Sequence, residues 1–178
     1  MRKITNQELG RVSVEEFAHK AKMGVVVVLD NIRSLQNVGS LFRTCDAFGA
    51  ERIVLCGITA TPPNRDIHKT ALGAELTVNW SYNTSTLECV TTLKEEGYKI
   101  IAIEQVEGAA MLHEFQCEEG AKYAIVLGNE VMGVDQNVVD LCDSAIEIPQ
   151  VGTKHSINVS VAGGVVLWNL FCQIGLKM

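Results

Sequence analysis

Ala124-Ile125-Val126-Leu127-Gly128-Asn129-Glu130, then Ala145-Ile146-Glu147-Ile148-Pro149, then Ser156-Ile157-Asn158-Val159-Ser160 form the part of the chain where three apolar runs meet small or polar residues. The first reads as a buried strand that breaks at Gly128 and delivers Asn129 and Glu130 to a loop. The second reads as a short strand stopped by Pro149. The third sets Ser156, Asn158 and Ser160 at the start of an otherwise apolar helix. In open α/β sheets, ligands collect beyond the carboxyl ends of strands, so three such endings close together imply one pocket.

Outward from this stretch, strands and helices alternate. Gly24 to Leu29 is a continuous β-branched run of the kind covered on both faces. Residues 37–48 read as a helix with Val38, Leu41, Phe42 and Cys45 on one face, ended by Gly49. Arg52 to Cys56, Leu76 to Trp80, Lys99 to Ile103, Tyr123 to Leu127 and Ala145 to Ile148 read as strands. Helices are expected over Ser85 to Glu96 and Asp135 to Leu141, with a long loop over residues 59–73 that has room for one helical turn. Thr5 with Glu8, and Ser13 with Glu16, have capping-box spacing, so one or two short helices are expected within residues 5–22. The alternation predicts an α/β fold with a mostly parallel sheet and helices on both faces. With 178 residues and no Pro/Gly/Ser-rich linker, one domain over 1–178 is expected, residues 1–23 being a short helical extension.

Composition excludes several classes. The six cysteines are scattered without a C-x-x-C pair and mostly lie in apolar runs, as reduced thiols of a cytoplasmic protein do. The four histidines are isolated, so no metal site is expected. Residues 1–6 lack the apolar core of a signal peptide. The segment from Ile157 to Leu176 is interrupted by Asn158, Ser160, Asn169 and Gln173 and falls short of the ~20 apolar residues of a membrane span. The net charge of −6 is unevenly spread. Residues 1–70 carry ten Lys/Arg against seven Asp/Glu, residues 71–150 three against fourteen, and residues 151–178 two Lys and no acid. A polyanion is therefore expected at Arg2, Lys3, Arg11, Arg65, Lys69 and Lys154 rather than along the middle.

Single residues sharpen the reading. No G-x-G-x-x-G follows the first strand, so a dinucleotide site is not supported. Asn37 can cap the following helix, and Gly39 can admit a close contact. Arg43 sits in an otherwise apolar helical stretch, where a half-buried guanidinium needs an anionic or carbonyl partner. Glu130, delivered from a strand end, could hold it. Gly163-Gly164 inside the last helix costs about 1 kcal/mol per glycine relative to alanine, a cost best explained by another backbone crossing there.

Three segments together carry a family resemblance. They are Asn37-Val38-Gly39-Ser40-x-x-Arg43-Thr44, Ile125-Val126-Leu127-Gly128-Asn129-Glu130-x-x-Gly133-Val134, and Ile148-Pro149-Gln150-x-Gly152-x-x-x-Ser156-Ile157-Asn158-Val159-Ser160-Val161-Ala162. In order and spacing they resemble the three motifs of the SpoU (TrmH-type) RNA 2′-O-ribose methyltransferases of the SPOUT superfamily. Ile157 stands where Leu is common, a conservative departure. The resemblance implies a deep C-terminal trefoil knot, S-adenosyl-L-methionine as cofactor, and a homodimer with sites near its interface. By matching position, Asn37 and Arg43 would be catalytic, Glu130 would support Arg43, and Ser156 and Asn158 would line the site. Leu127, Gly128, Asn129, Ile148, Pro149, Ile157 and Asn158 would hold the cofactor.

The function so implied is methylation of a ribose 2′-hydroxyl in RNA. A tRNA is favoured over rRNA because only about two dozen residues precede the first strand. A rival reading is a knotted RNA-binding or assembly protein without turnover, against which Asn37, Arg43, Glu130 and Asn158 speak.

Overall fold

The computed structural model describes every residue except 6, 7, 11 and 178. Its strands are Val25–Asp30 (β1), Arg52–Cys56 (β2), Trp80–Asn83 (β3), Tyr98–Ile103 (β4), Ala110–Met111 (β5), Lys122–Leu127 (β6) and Ser144–Glu147 (β7). They form one sheet in the order β3-β2-β1-β6-β4-β7-β5, and every pairing is parallel. The helices are Val14–His19 (α1), Leu35–Phe48 (α2), Arg65–Ala71 (α3), Thr86–Glu95 (α4), Gln136–Leu141 (α5) and Val159–Gln173 (α6).

The β-branched run of β1 is buried at all six positions because it lies inside the sheet with both faces covered. Alternation splits it between two cores. Val25, Val27 and Leu29 pack with Val38, Leu41 and Phe42 of α2 and with Val166, Leu167 and Leu170 of α6. Val26 and Val28 pack on the other face with Cys89, Val90 and Leu93 of α4 and Val138 of α5. Helices therefore cover both faces, as expected.

Register places the site. Leu29 pairs with Leu127, Leu127 with Ile103, and Ile103 with Ile146. Asp30, Gly128, Glu104 and Glu147 thus follow one another along a single carboxyl edge of the sheet, where polar groups can converge.

Several local expectations need correction. Leu76 to Trp80 is not a strand. Ala74–Leu76 makes a 3-10 turn and the strand begins at Trp80, pairing with Ile53 of β2. The long loop over 59–73 contains the seven-residue helix α3, capped by Asn64. In the N-terminal segment Ser13 and Glu16 form a complete capping box for α1; Thr5 N and Oγ1 donate to Glu8 Oε2 at 2.7 and 2.9 Å, while residues 6 and 7, where the other expected helix would begin, lie outside the described residues. The cap of α2 is Ser34, whose hydroxyl accepts from Asn37 N, so Asn37 lies within the first turn with its side chain free for other work. Gly163 makes room for side chains rather than a backbone: a Cβ there would meet Leu41 Cδ2 at 2.6 Å and Leu127 Cδ1 at 2.9 Å. At Gly164 the neighbour is only Thr44 Cγ2, at 3.9 Å. Helix α6 is apolar on two sides, with Val166, Leu167 and Leu170 buried and Val161, Val165 and Trp168 exposed. Among the described residues no helix is long and apolar enough to cross a membrane.

Candidate active site

A cavity of about 400 Å³ opens at the carboxyl edge, between the ends of β4, β6 and β7 and the start of α6. That size falls within the ~300–1,000 Å³ usual for small-molecule sites. Leu127, Gly128 and Asn129 line it from the end of β6, Ile148 from beyond β7, and Ser156, Ile157 and Asn158 from the segment entering α6. Three strand endings thus share one pocket. Its walls also carry the carboxylates of Glu104, Glu130 and Glu147, and no Lys or Arg. Such a lining disfavours a phosphate-bearing cofactor and favours one with net positive charge.

The loop after β6 is held tightly. Asn129 and Gly133 exchange backbone hydrogen bonds of 3.0 and 2.9 Å. The Asn129 side chain accepts from Val131 N and Met132 N, and donates to Asn31 O at 2.7 Å. Gly133 has φ +72°, and Val134 N donates to Glu104 Oε2 at 3.0 Å. The loop folds back so closely that a Cβ on Gly128 would lie 2.2 Å from both Gly133 C and Val134 N. Glycine is required there by the crossing backbone.

Three separated segments are joined by side chains. Asn37 Nδ2 donates to Glu130 Oε1 at 2.9 Å, and Asn158 Nδ2 donates to Asn37 Oδ1 at 3.0 Å. Asn158 Oδ1 caps α6 by accepting from Ser160 N and Ser160 Oγ. Glu130 also accepts from the backbone N–H groups of Arg33 and Ser34, at 2.9 and 3.0 Å. Burial alone pushes the Glu130 carboxyl pKa up, but the donors from Arg33, Asn37 and Ser34 together hold it below its ordinary value.

Two expectations fail here. Glu130 does not hold Arg43; it closes the start of α2 instead. Arg43 is exposed, does not line the cavity, and makes no hydrogen bond or ion pair among the described residues. Pro149 also stays outside the cavity lining. Of the six basic positions, Arg2 pairs with Glu8 at 2.8 Å and Lys69 with Asp66 at 2.6 Å. Lys3, Arg65 and Lys154 are exposed, and Arg11 lies outside the described residues.

Sequence reasoning missed Asp30 and Glu104. Asp30 is 2% exposed and accepts from Thr86 Oγ1 at 2.5 Å, Asn31 Nδ2 at 2.8 Å and Asp135 N at 3.1 Å. It ties the end of β1 to the starts of α4 and α5. An acid closing a β-branched run was the available signal, since a buried carboxylate must find donors.

The chain matches the SpoU rRNA methylase family over residues 24–168. It is 30% identical to a tRNA (guanosine(18)-2′-O)-methyltransferase of Thermus thermophilus, over 90% of this chain and 81% of that one. It is 28% identical to a 23S rRNA (guanosine-2′-O-)-methyltransferase of Vibrio parahaemolyticus, over 94% of this chain and 66% of that one. Its fold is similar to the crystal structure of the A. aeolicus TrmH/SpoU tRNA modifying enzyme, with TM-score 0.80 and 24% identity over 92% of this chain and 83% of that one. The chain spans about three fifths of the length of several other curated relatives it matches.

Proposed function

Because the chain belongs to the SpoU rRNA methylase family, we propose that it transfers a methyl group from S-adenosyl-L-methionine to a ribose 2′-hydroxyl of RNA, in the cytoplasm, with residues 1–178 acting as one domain. The observation that carries this reading is the line Glu130–Asn37–Asn158, in which the buried Asn37 bridges two residues of the cavity wall that come from distant segments. The chemistry of the pocket supports the cofactor. Carboxylates without a cation suit a ligand bearing a sulfonium and an ammonium against one carboxylate, and apolar walls suit its adenine.

Leu127, Gly128, Asn129, Ile148, Ile157 and Asn158 would hold the cofactor, which supplies an activated methyl group when bound. Asn37 and Asn158 are immobilised by their mutual bond, so the polar rim is oriented before substrate arrives. The exposed Ser156 would meet the ribose. A guanidinium keeps its proton at neutral pH, so Arg43 serves as an electrostatic stabiliser of the developing alkoxide and as a phosphate ligand rather than as the base. Its position outside its own cavity is best accommodated by a site completed across a homodimer, for which Val161, Val165 and Trp168 of α6 offer an apolar stripe. A deep C-terminal trefoil knot belongs to the same reading, supported by the family resemblance. A tRNA substrate is favoured over rRNA because the Thermus thermophilus tRNA methyltransferase is matched over more of its own length than the Vibrio parahaemolyticus rRNA methyltransferase.

Calorimetry on chelator-treated protein tests the cofactor assignment. One S-adenosyl-L-methionine should bind per chain without added metal. Absence of binding in protein that melts cooperatively would overturn it.

A further inference from the structure

A second hollow, of about 550 Å³, shares no lining residue with the strand-end cavity. It lies between the segment entering α3, α3 itself, the 3-10 turn and the first residue of β3. Pro62, Pro63, Leu76 and Trp80 form its apolar walls, with Arg65 and His68 beside them. Glu75 is different in kind, a carboxylate only 8% exposed beneath exposed apolar side chains. His68 Nδ1 pairs with its Oε1, and Gly73 N donates to its Oε2 at 3.1 Å. Its own backbone N–H is a third donor, so of the carboxylate's roughly four acceptor positions one is left open. At the hollow's edge Arg65 makes no ion pair among the described residues, whereas Lys69, one helical turn on, is paired with Asp66.

An exposed indole wall, an acceptor at depth and a cation at the rim match the three parts of a nucleotide. A base stacks on an aromatic face whatever its identity. An open carboxylate position suits a base edge rich in N–H donors, and guanine presents N1–H and the N2 amino group side by side. The phosphate then faces Arg65. Resting on the reading of this chain as an RNA methyltransferase, we propose that this hollow binds an unstacked base of the substrate RNA, preferentially guanine, as a positioning site separate from the reacting ribose. A second copy of the chain is the less suitable occupant, because the larger apolar stripe it would cover lies on α6.

The test is titration of the full chain with a tRNA transcript and with a short uridine oligonucleotide carrying a single central guanosine, an all-uridine oligonucleotide serving for comparison. Trp80→Ala should weaken binding of the transcript and of the guanosine oligonucleotide by about 5- to 100-fold, the loss of one base–aromatic stack, while Trp80→Phe stays within about 3-fold of the parent. Glu75→Gln should remove the preference for guanosine over uridine. If Trp80→Ala fails to fold, Leu76→Glu, at a position 79% exposed, puts an acid in the wall and should produce the same loss. Parental affinity and parental KM for RNA in the Trp80 and Leu76 variants would overturn the site, as would a change in sedimentation with RNA affinity intact, which would assign the hollow to a second copy. If no RNA is methylated and Trp80→Ala still weakens RNA binding, the enzymatic reading falls and this site stands.

Discussion

Glu130 takes up two backbone N–H groups that begin α2 and the amide of Asn37, so one carboxylate sets both a helix start and a site residue. Its pKa is held below the ordinary 4.5, burial pushing it up but the donors prevailing. A carboxylate depressed in the folded state contributes stability that is fully present above the unfolded value and lost as pH falls through the folded one. The start of α2 therefore loosens in acid, as pH falls below the ordinary carboxyl value, and not in alkali. Glu130→Gln should cost about 1 kcal/mol near neutrality, since the amide keeps one acceptor, and should flatten this acid slope. Urea unfolding of both proteins from about pH 3 to 7 checks it, and parallel curves would contradict it. Arg43→Ala should behave oppositely. Arg43 has no hydrogen-bond or ion-pair partner among the described residues to lose, so the unfolding midpoint of Arg43→Ala should match the parent while methyl transfer is abolished and cofactor affinity stays within a few-fold. The pairing of Arg43 with Glu130 was a reasonable expectation from two charges that lacked partners in the sequence. It failed because the true partners are backbone N–H groups, which every residue type carries and no sequence pattern advertises.

The loop from Gly128 to Val134 is the least replaceable element. Gly128→Ala would drive a methyl group into the backbone of Gly133 and Val134, which cannot yield as a side-chain tip can. A loss of about 1–3 kcal/mol is expected, together with weaker cofactor binding. Gly163→Ala meets only the ends of Leu41 and Leu127 and should cost less. Chemical denaturation ranks the two, and the reverse order would contradict the role given to the loop. This loop was legible in the sequence because an apolar run broke at a glycine. The long buried strands were legible for a similar reason: a β-branched run such as β1 has no amphipathic alternative. The edges were not. Leu76, Val78 and Trp80 alternate like a strand, yet Val78 is buried by the turn while only Trp80 enters the sheet. The two-residue β5 is too short for any periodicity. Ser34 displaced Asn37 as the cap because both are good caps, and the choice rests on which frees Asn37 for Glu130.

Across the whole molecule, the apolar stripe on α6 and the unpartnered Arg43 point to one assembly. The parent should sediment as a dimer at micromolar concentration, and Trp168→Glu should sediment as a monomer with its unfolding still cooperative. A parent that sediments as a monomer would remove the shared site. Mixing Arg43→Ala chains with Asn158→Ala chains should recover methyl transfer that neither has alone, because one site of each mixed dimer then holds both side chains. No recovery, with mixed dimers demonstrated, would place Arg43 in its own chain's site. The most direct test of the central claim is to incubate the protein with S-adenosyl-L-methionine and tRNA, digest the RNA to nucleosides, and locate the new methyl group by mass spectrometry. The account predicts a methyl group on the ribose, absent with Arg43→Ala. A methyl group on a base would contradict it, as would cofactor and RNA binding without any transfer to tRNA or rRNA, which is the behaviour of a binding protein.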